Sequence, residues 1–279
     1  MTDSEPTAME MADMLTLEPG EGASLSGSSP EYPWGGLYGG QIVGQALLAA
    51  GTGVDPEFKV HSTRAYFIRR GRQAEPVLYD IDPIRDGRSF CTRRVVAHQG
   101  GHPILNLEAS FQRSEVSEDI QMVGIDPSVE VPPLASITKD SESWSTSFDR
   151  SSVRFADERD GIARAAAWMR STPLPADSPP RLHAVALAFI SDDMPTEAVI
   201  RAHPVYDGLD DMWESPLYTA SLDHTIWFHR DAPADQWQLH DFRCQNFVGG
   251  RGLAMGHIHT ASGVHVATVA QEVLLRVPD

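Results

Sequence analysis

The chain has 279 residues, of which 41% are hydrophobic, and a formal net charge of −17. This composition is ordinary for a globular protein with one large core or two smaller ones, and the charge argues against a general nucleic-acid or membrane-surface binder, because a polyanionic partner would be repelled. No apolar run approaches the length of a membrane span, so none is predicted. Two cysteines, Cys91 and Cys244, cannot form a disulfide framework, which agrees with a cytoplasmic location.

The first part of the chain indicates one helix followed by several strands. Residues 1–14 are predicted to form a loose or helical leader without the basic start of a signal peptide, and residues 15–33 a strand edge with loops. From Gly40 to about residue 50, apolar residues recur at helical spacing. Strands are then predicted at residues 60–68, 77–84, 89–99 and 103–112, with turn signals between the later ones.

The rest of the chain predicts a connector and then a second helix-plus-strands unit. Residues 114–152 are rich in Ser, Glu, Asp and Pro, which is typical of a connector. The second unit is predicted to have strand-like stretches at 153–155 and 165–169, a helix at 180–190 that breaks and restarts at 196–202, and strands at 221–229, 237–246, 252–260 and 265–275.

The second half of the chain repeats the first with a near-constant offset. Phe67 and Phe228 lie 161 residues apart, and Arg113 and Arg276 lie 163 apart. One helix and an antiparallel meander, present twice, indicate an α+β protein. A duplicated unit can keep a site in one copy and lose it in the other, so differences between the copies point to candidate chemistry.

Two positions in the second copy differ from the first in chemically useful ways. Asp192 is aligned with Gly40, and Ser221 with Val60 at the 161 offset. A carboxylate beside a helix start is stabilised by the helix dipole and can stay ionised. The residue pattern alone nevertheless favours a simple capping role for Asp192 or Asp193.

Gln271 interrupts the apolar face of the last predicted strand. A buried amide without partners would cost roughly 1 to 3 kcal/mol, so this side chain is expected to meet a polar group or a ligand. A structural hydrogen bond to the backbone is an equally open explanation. The 163 offset pairs Gln271 with Glu108, yet the apolar face of the first copy has the opposite parity, which predicts a one-residue slip in register.

Other conspicuous residues predict no metal and no cofactor. His224 and His229 flank a Trp-Phe pair on a predicted strand, which is more typical of packed aromatics and a satisfied imidazole than of a metal site. No histidine pair has zincin spacing and no C-x-x-C is present. The glycine-rich residues 35–40 match no nucleotide-binding motif, but the free N–H groups where they enter the helix, at Gly40 and Gln41, could receive an oxyanion.

As a set, these residues resemble the acyl-CoA thioesterase II family of the TesB type. The resemblance is carried by residues 38–47, 61–70, 85–95 and 109–112 in the first half and by residues 191–192, 222–230, 254–263 and 271–272 in the second. It implies an α+β double hotdog fold, in which two tandem helix-wrapped antiparallel sheets join into one. The N-terminal hotdog would span residues 15–113 and the C-terminal hotdog residues 153–279.

The resemblance also implies a function and a site. Fatty acyl-CoA would be hydrolysed to a free fatty acid and coenzyme A by a water held by Asp192, Ser221 and Gln271, in a homo-oligomer such as a dimer or tetramer. Ser221 replaces the threonine of the best-known members, which keeps the hydroxyl but loses a methyl group that fixes its rotamer. A carboxylate at a helix start is a weak base, so positioning of the water is expected to contribute more than basicity. One active site per chain is predicted.

Two alternatives stay open. An enoyl-CoA hydratase of the same fold needs an Asp-x4-His arrangement, and the sole instance here, Asp235 to His240, lies in a turn leading into a strand and lacks the accompanying Asn-Pro. The other alternative is a non-catalytic protein that binds or senses acyl-CoA, which would carry the same three residues without turning substrate over.

Overall fold

A computed structural model describes residues 9–20, 24–73, 75–141, 144–155, 163–206 and 217–277. The helices are α1 (Met11–Met14), α2 (Gly39–Gly51), α3 (Pro180–Ile190) and α4 (Asp193–Arg201), and single 3₁₀ turns occur at Leu134–Ser136 and Pro204–Tyr206. The strands are β1 (Glu18–Pro19), β2 (Leu25–Gly27), β3 (Phe58–Phe67), β4 (Val77–Asp86), β5 (Phe90–Gln99), β6 (His102–Arg113), β7 (Phe148–Ser152), β8 (Arg164–Ser171), β9 (Tyr218–Ser221), β10 (Asp223–Phe228), β11 (Gln238–Val248), β12 (Arg251–Thr260) and β13 (His265–Arg276).

The thirteen strands form one antiparallel sheet whose order mirrors itself about its centre. The order is β1-β2-β4-β5-β6-β3-β10-β13-β12-β11-β8-β7, and β9 pairs with β13 beside β10. The two halves join where β3 pairs with β10, for example Ala65 with His224. Each half is therefore a sheet with the same internal order, and the predicted double hotdog fold is confirmed.

Helices α2 and α3 pack against each other on the inner side of this sheet. Helix α2 lies on β4, β5 and β6, and α4 lies on β8, β11 and β12, whereas α3 contacts both β8 of the second half and β3 of the first. The approach of α2 to α3 depends on glycine, because a Cβ atom at Gly40 would lie 2.1 Å from the carbonyl oxygen of Phe189. At Gly44 the nearest atom to such a Cβ would be the Phe189 Cβ, at 3.2 Å. The small residues of α2 thus set the spacing between the two halves.

Some element bounds differ from those predicted. Strand β7 (Phe148–Ser152) lies within the stretch expected to be connector, and residues 153–155 follow that strand. Helix α4 starts at Asp193, so Pro195 lies in its first turn, where a missing N–H removes no helical hydrogen bond. The strand predicted at 221–229 is two strands, separated at Leu222, whose N–H donates to the Glu272 carbonyl at 2.9 Å. Of the predicted leader, residues 1–8 lie outside the described residues.

The pairing of the strands confirms the predicted one-residue slip. Phe67 pairs with Leu105, and its counterpart Phe228 pairs with Ala267, which makes the offset between β6 and β13 162 residues. Gln271 therefore corresponds to Ala109, not to Glu108. Both residues are buried, so they lie on the interior face of their strands in the two copies, and only the side-chain chemistry differs.

The connector lies against the outer face of the second half. Arg230 forms an ion pair with Asp119, and the Gln121 side chain donates to the Gly263 carbonyl at 2.8 Å. None of the helices in the described residues is both long and apolar enough to cross a membrane.

Candidate active site

Asp192 lies between the end of α3 and the start of α4, and it faces the start of α2. Its carboxylate accepts hydrogen bonds from the Ser221 hydroxyl, at 3.2 Å, and from the backbone N–H of Gly40. The residue occupies the N-cap position of α4, but among the described residues its side chain makes no capping bond there. Asp192 is thus held across the interface between the two halves of the chain.

The predicted equivalence of Asp192 and Gly40 is wrong. Gly40 lies at the start of α2, whereas Asp192 follows the end of α3, so the two occupy different places in their copies. Gly40 and Asp192 meet because α2 and α3 pack together, which brings the start of α2 beside the end of α3. A carboxylate does lie at a helix start, as expected, since Asp192 precedes α4, but the helix whose N–H it accepts from is α2 in the other half of the chain.

The three residues expected to hold a water are brought together by the fold. Gln271, fully buried on β13, donates from Nε2 to Ser221 Oγ at 2.8 Å, and Ser221 donates in turn to Asp192 Oδ1. Gln271 also forms a hydrogen bond with the Asp192 carboxylate. The open alternative of a bond from Gln271 to backbone is not what the structure shows.

His224 completes this chain of hydrogen bonds from behind. Its Nδ1 donates to Gln271 Oε1, and Ser191 Oγ lies 2.9 Å from its Nε2. The imidazole is fully buried, and burial lowers its pKa to about 4, so the ring is neutral near pH 7. A neutral ring with its proton on Nδ1 satisfies the Gln271 carbonyl, which turns the Gln271 amide toward Ser221.

The sequence did not single out His224 as part of the site. Its imidazole is hydrogen-bonded, as expected, but its partners are the side chains of Gln271 and Ser191 and not the backbone. The available signal was the alternation along β10, in which His224 and Ile226 both face the interior. Since β10 pairs with β13, that face is the one that carries Gln271.

Burial raises the pKa of Asp192 to about 7. Hydrogen bonds from Gln271, Ser221 and the Gly40 N–H act in the opposite direction, and the nearby charge of Asp193 raises the pKa further. The expectation of a weak base at this position is therefore wrong, because loss of hydration outweighs the helix start and the hydrogen bonds. A carboxylate with this pKa can both take and return a proton near neutral pH.

The neighbouring acid has a structural role. Asp193 accepts from Trp144 Nε1 at 3.2 Å and from Arg150 at 3.0 Å, and Arg150 also pairs with Glu197. Arg150 is thus surrounded by buried carboxylates, which compensate its charge. Asp193 is engaged in this cluster and is not directed at the Ser221 hydroxyl.

Aromatic rings close the site on the side of the glycine-rich segment. The set comprises Tyr32, Trp34, Tyr38, Trp144, Phe148 and Phe189, with neighbouring ring centroids 4.8 to 6.3 Å apart. The Tyr38 hydroxyl is buried and has no hydrogen-bond partner among the described residues. Its pKa is raised by burial and by the charges of Asp192 and Asp193, so it remains a neutral donor.

The candidate oxyanion positions Gly40 and Gln41 are both at the start of α2. The Gly40 N–H is engaged by Asp192. The Gln41 side chain is fully buried, accepts from the Tyr32 hydroxyl at 2.8 Å and donates to the Ser28 carbonyl at 2.8 Å, so it supports the fold. A role of Gln41 toward a ligand would have to use its backbone N–H, which has no intrahelical acceptor in the first turn.

The hydratase alternative finds no support in this geometry. His240 lies on β11, and strands β12 and β13 separate β11 from β10, which carries His224. Burial lowers the pKa of His240 to about 3, and Asp235 lies in the turn before β11. Neither residue belongs to the hydrogen-bonded chain that ends at Asp192.

Comparisons with known proteins identify the family of this fold. The model of the acyl-CoA thioesterase N-terminal domain matches residues 29–112, and that of the acyl-CoA thioesterase C-terminal domain matches residues 128–275. Acyl-coenzyme A thioesterase 8 of Homo sapiens is 30% identical over 95% of this chain and 88% of its own length. Acyl-CoA thioesterase 2 of Haemophilus influenzae is 31% identical over 94% of this chain and 96% of its own.

A solved structure shows the same relationship in three dimensions. The crystal structure of the acyl-CoA thioesterase II TesB2 from Mycobacterium marinum superposes with a TM-score of 0.77 at 34% identity, over 96% of this chain and 98% of that one. The chain belongs to the acyl-CoA thioesterase family of the TesB type. It is accordingly a thioester hydrolase.

The raised pKa of Asp192 has a consequence for stability. An unfolded aspartate ionises near pH 4, whereas folded Asp192 ionises near pH 7, so the folded state binds more protons between these values and loses stability as the pH rises. Asp192→Asn removes this loss. The variant is expected to be more stable than the wild type by roughly 2 to 4 kcal/mol at pH 8 and by much less at pH 4. Urea unfolding at both pH values measures the difference, and an equal difference at both would contradict the raised pKa.

Proposed function

We propose that this protein hydrolyses fatty acyl-CoA to a free fatty acid and coenzyme A by direct attack of water, without a covalent intermediate. The observation that carries the proposal is the chain of hydrogen bonds from His224 through Gln271 and Ser221 to a buried carboxylate, Asp192. Each group in that chain is held by the next, so a water beside Asp192 and Ser221 would be oriented before the reaction starts.

The proposed reaction begins with Asp192 ionised. Its carboxylate takes a proton from the water as the water oxygen attacks the thioester carbonyl carbon, and the carbonyl becomes a tetrahedral oxyanion. The intermediate collapses with cleavage of the carbon–sulfur bond. Asp192 then returns its proton to the departing sulfur of coenzyme A, and the fatty acid is left as the other product. A pKa of about 7 suits Asp192 to both transfers.

The oxyanion is proposed to meet the start of α2. The first N–H groups of that helix have no acceptor within the helix, and its dipole favours negative charge there. The backbone N–H of Gln41 is the donor that we assign to this role, since the Gly40 N–H is used by Asp192. Donors fixed in a buried site need no reorganisation when the charge develops.

A direct test is incubation of the protein with palmitoyl-CoA and a thiol reagent. Free coenzyme A that appears with turnover supports the esterase. Tight binding of palmitoyl-CoA without thiol release would instead favour a sensing protein. Hydration of a trans-enoyl-CoA in place of thiol release would favour the hydratase.

A hydroxyl group at position 221 is expected to be required, but either serine or threonine can supply it. Ser221→Ala removes the donor to Asp192 and the acceptor of Gln271, and should lower kcat by roughly 10- to 100-fold through loss of water positioning. Ser221→Thr keeps the hydroxyl and is expected to stay within about threefold of the wild type, since its methyl restricts χ1 without removing the donor. Steady-state kinetics with palmitoyl-CoA distinguish the two, and equal rates for the alanine and threonine variants would contradict the role of the hydroxyl.

A further inference from the structure

The double sheet contains a second site-like position, the counterpart of the active site in the other half. Strand pairing makes Val60 the counterpart of Ser221, Thr63 that of His224 and Ala109 that of Gln271. The hydrogen-bonded chain is therefore absent from this position among the described residues. Both β3 and the β9–β10 segment are irregular at the same place, after Val60 and after Ser221, so the backbone scaffold is shared.

A cavity of about 180 Å³ lies at this counterpart position. Its walls are mainly apolar and include Phe58, Val60, Ala184, Leu187, Phe228 and Val266. Phe228 corresponds to Phe67, whose ring lies beside Gly39 at the active site. The cavity is thus formed by the counterparts of the active-site elements. Helix α3 takes the place of α2, and strand β10 takes the place of β3.

The chemistry at the end of this cavity differs from that of the active site. Helix α3 starts with Pro179 and Pro180, which have no N–H to offer an oxyanion. The Arg181 guanidinium fills the space at the end of α2, where it donates to the carbonyls of Gly51, Val54, Asp55 and Phe58 at 2.9 to 3.1 Å. No acid corresponding to Asp192 lines the cavity. His183 also lines the cavity, but its Nδ1 accepts from the Ala234 N–H at 3.1 Å, and the one lining acid, Asp231, pairs with Lys59. The position therefore has no counterpart of Asp192 as a general base among the described residues.

The cavity is also unusual in its charge. Three basic residues line it, Lys59, Arg181 and Arg230, and one acid, Asp231; Arg230 is also paired with Asp119 of the connector. The chain as a whole has a net charge of −17 and only two lysines, so a basic lining runs against its composition. Lys59 is half exposed and pairs with Asp231 at the rim, where an anionic group could exchange with that carboxylate.

We propose that this cavity is a second, non-catalytic site that binds a fatty acid anion, with the alkyl chain along Leu187 and Val266 and the carboxylate at Lys59. Apolar walls with a basic rim select a ligand that has an alkyl chain and one negative end. The choice of a fatty acid rests on the proposed function, since that reaction releases this product on the same protein. The cavity is built on the same strand scaffold as the active site but has Val60, Thr63 and Ala109 in place of Ser221, His224 and Gln271.

The test is isothermal titration of the full chain with dodecanoate. Ala184→Trp, which fills the cavity, is expected to abolish one molar equivalent of binding, and Lys59→Met to weaken that equivalent at least fivefold. Lys139→Met is the matched control, because Lys139 is the only other lysine, is exposed and also pairs with an aspartate. Palmitoyl-CoA hydrolysis is measured on the same samples and should stay within about twofold for all three variants.

The outcomes separate this inference from the proposed function. Dodecanoate binding that is the same in the wild type, Ala184→Trp and Lys59→Met would overturn the second site, even if hydrolysis is normal. An equal loss in Lys59→Met and Lys139→Met would also overturn it, since the effect would be one of general charge. Loss of one equivalent in Ala184→Trp and its weakening in Lys59→Met alone would support the site, whether or not the protein hydrolyses palmitoyl-CoA.

Discussion

Asp192→Asn is expected to reduce kcat/KM for palmitoyl-CoA by roughly 10²- to 10⁴-fold, the contribution typical of a positioned general base. Asparagine keeps the shape, and its one amide oxygen can still accept from the Ser221 hydroxyl, so the fold is retained. What it removes is the ability to take a proton from water. The variant is measured by thiol release, with circular dichroism to show that it is folded.

The pH dependence makes this prediction sharper. Because the pKa of Asp192 is about 7, kcat/KM of the wild type should rise with pH and reach half its maximum near pH 7, as the carboxylate becomes ionised. Asp192→Asn should lose this rise. Asp193→Asn is the matched control: Asp193 is a buried acid that pairs with Arg150, so this variant should lose stability and keep the rise. Its midpoint should move to lower pH, because the charge of Asp193 raises the pKa of Asp192. A fully active Asp192→Asn enzyme would remove Asp192 from the mechanism.

Gly40→Ala is expected to cost about 3 kcal/mol or more in the free energy of unfolding, at the upper end of the range for overpacking. The added Cβ would lie 2.1 Å from the Phe189 carbonyl oxygen, which belongs to the backbone of α3 and cannot rotate away. The helices must separate, which also disturbs the bond from the Gly40 N–H to Asp192. Urea unfolding measures the stability, and thiol release the accompanying loss of activity.

Gly44→Ala, one turn further along the same helix, is the control for Gly40→Ala. Its added Cβ would lie 3.2 Å from the Phe189 Cβ and 3.4 Å from the Val185 carbonyl oxygen, so small shifts accommodate it. Alanine also gains up to about 1 kcal/mol over glycine within a helix, which offsets that cost. The Gly44 variant should therefore stay near the wild type. Equal stability of the two variants would contradict the close approach of the helices at Gly40.

The repeat in the sequence was informative because the backbone of a duplicated fold changes less than its chemistry. The turns and the aromatic pair Phe67 and Phe228 recur at a near-constant offset, and that pattern predicted two similar sheets. Gln271 was detectable for a related reason, since one polar residue on an apolar strand face has to find a partner. Both signals are local features of the sequence, so they can be detected without knowledge of the fold.

Offsets along the sequence did not give the positions of residues in space. Asp192 was aligned with Gly40 by their place near a helix start, but the two come from opposite ends of paired helices. The alternation along β10 placed His224 on the buried face but did not identify its partner, because a histidine on an apolar strand face has the same pattern whether its partner is a backbone carbonyl or the Gln271 amide. Only the pairing of β10 with β13 distinguishes these cases.

The sequence by itself therefore determined the α+β class, the duplication, most helices and strands, and, through its family resemblance, the candidate residues Asp192, Ser221 and Gln271. The tertiary structure decided how these three side chains are arranged. Packing of α2 against α3 puts Asp192 beside the Gly40 N–H, and burial there raises its pKa to about 7, where a pattern of residues had indicated a weak base. The physical reason is that hydration is a property of the assembled site: adjacent residues specify a carboxylate, but the surrounding fold decides how much water it keeps.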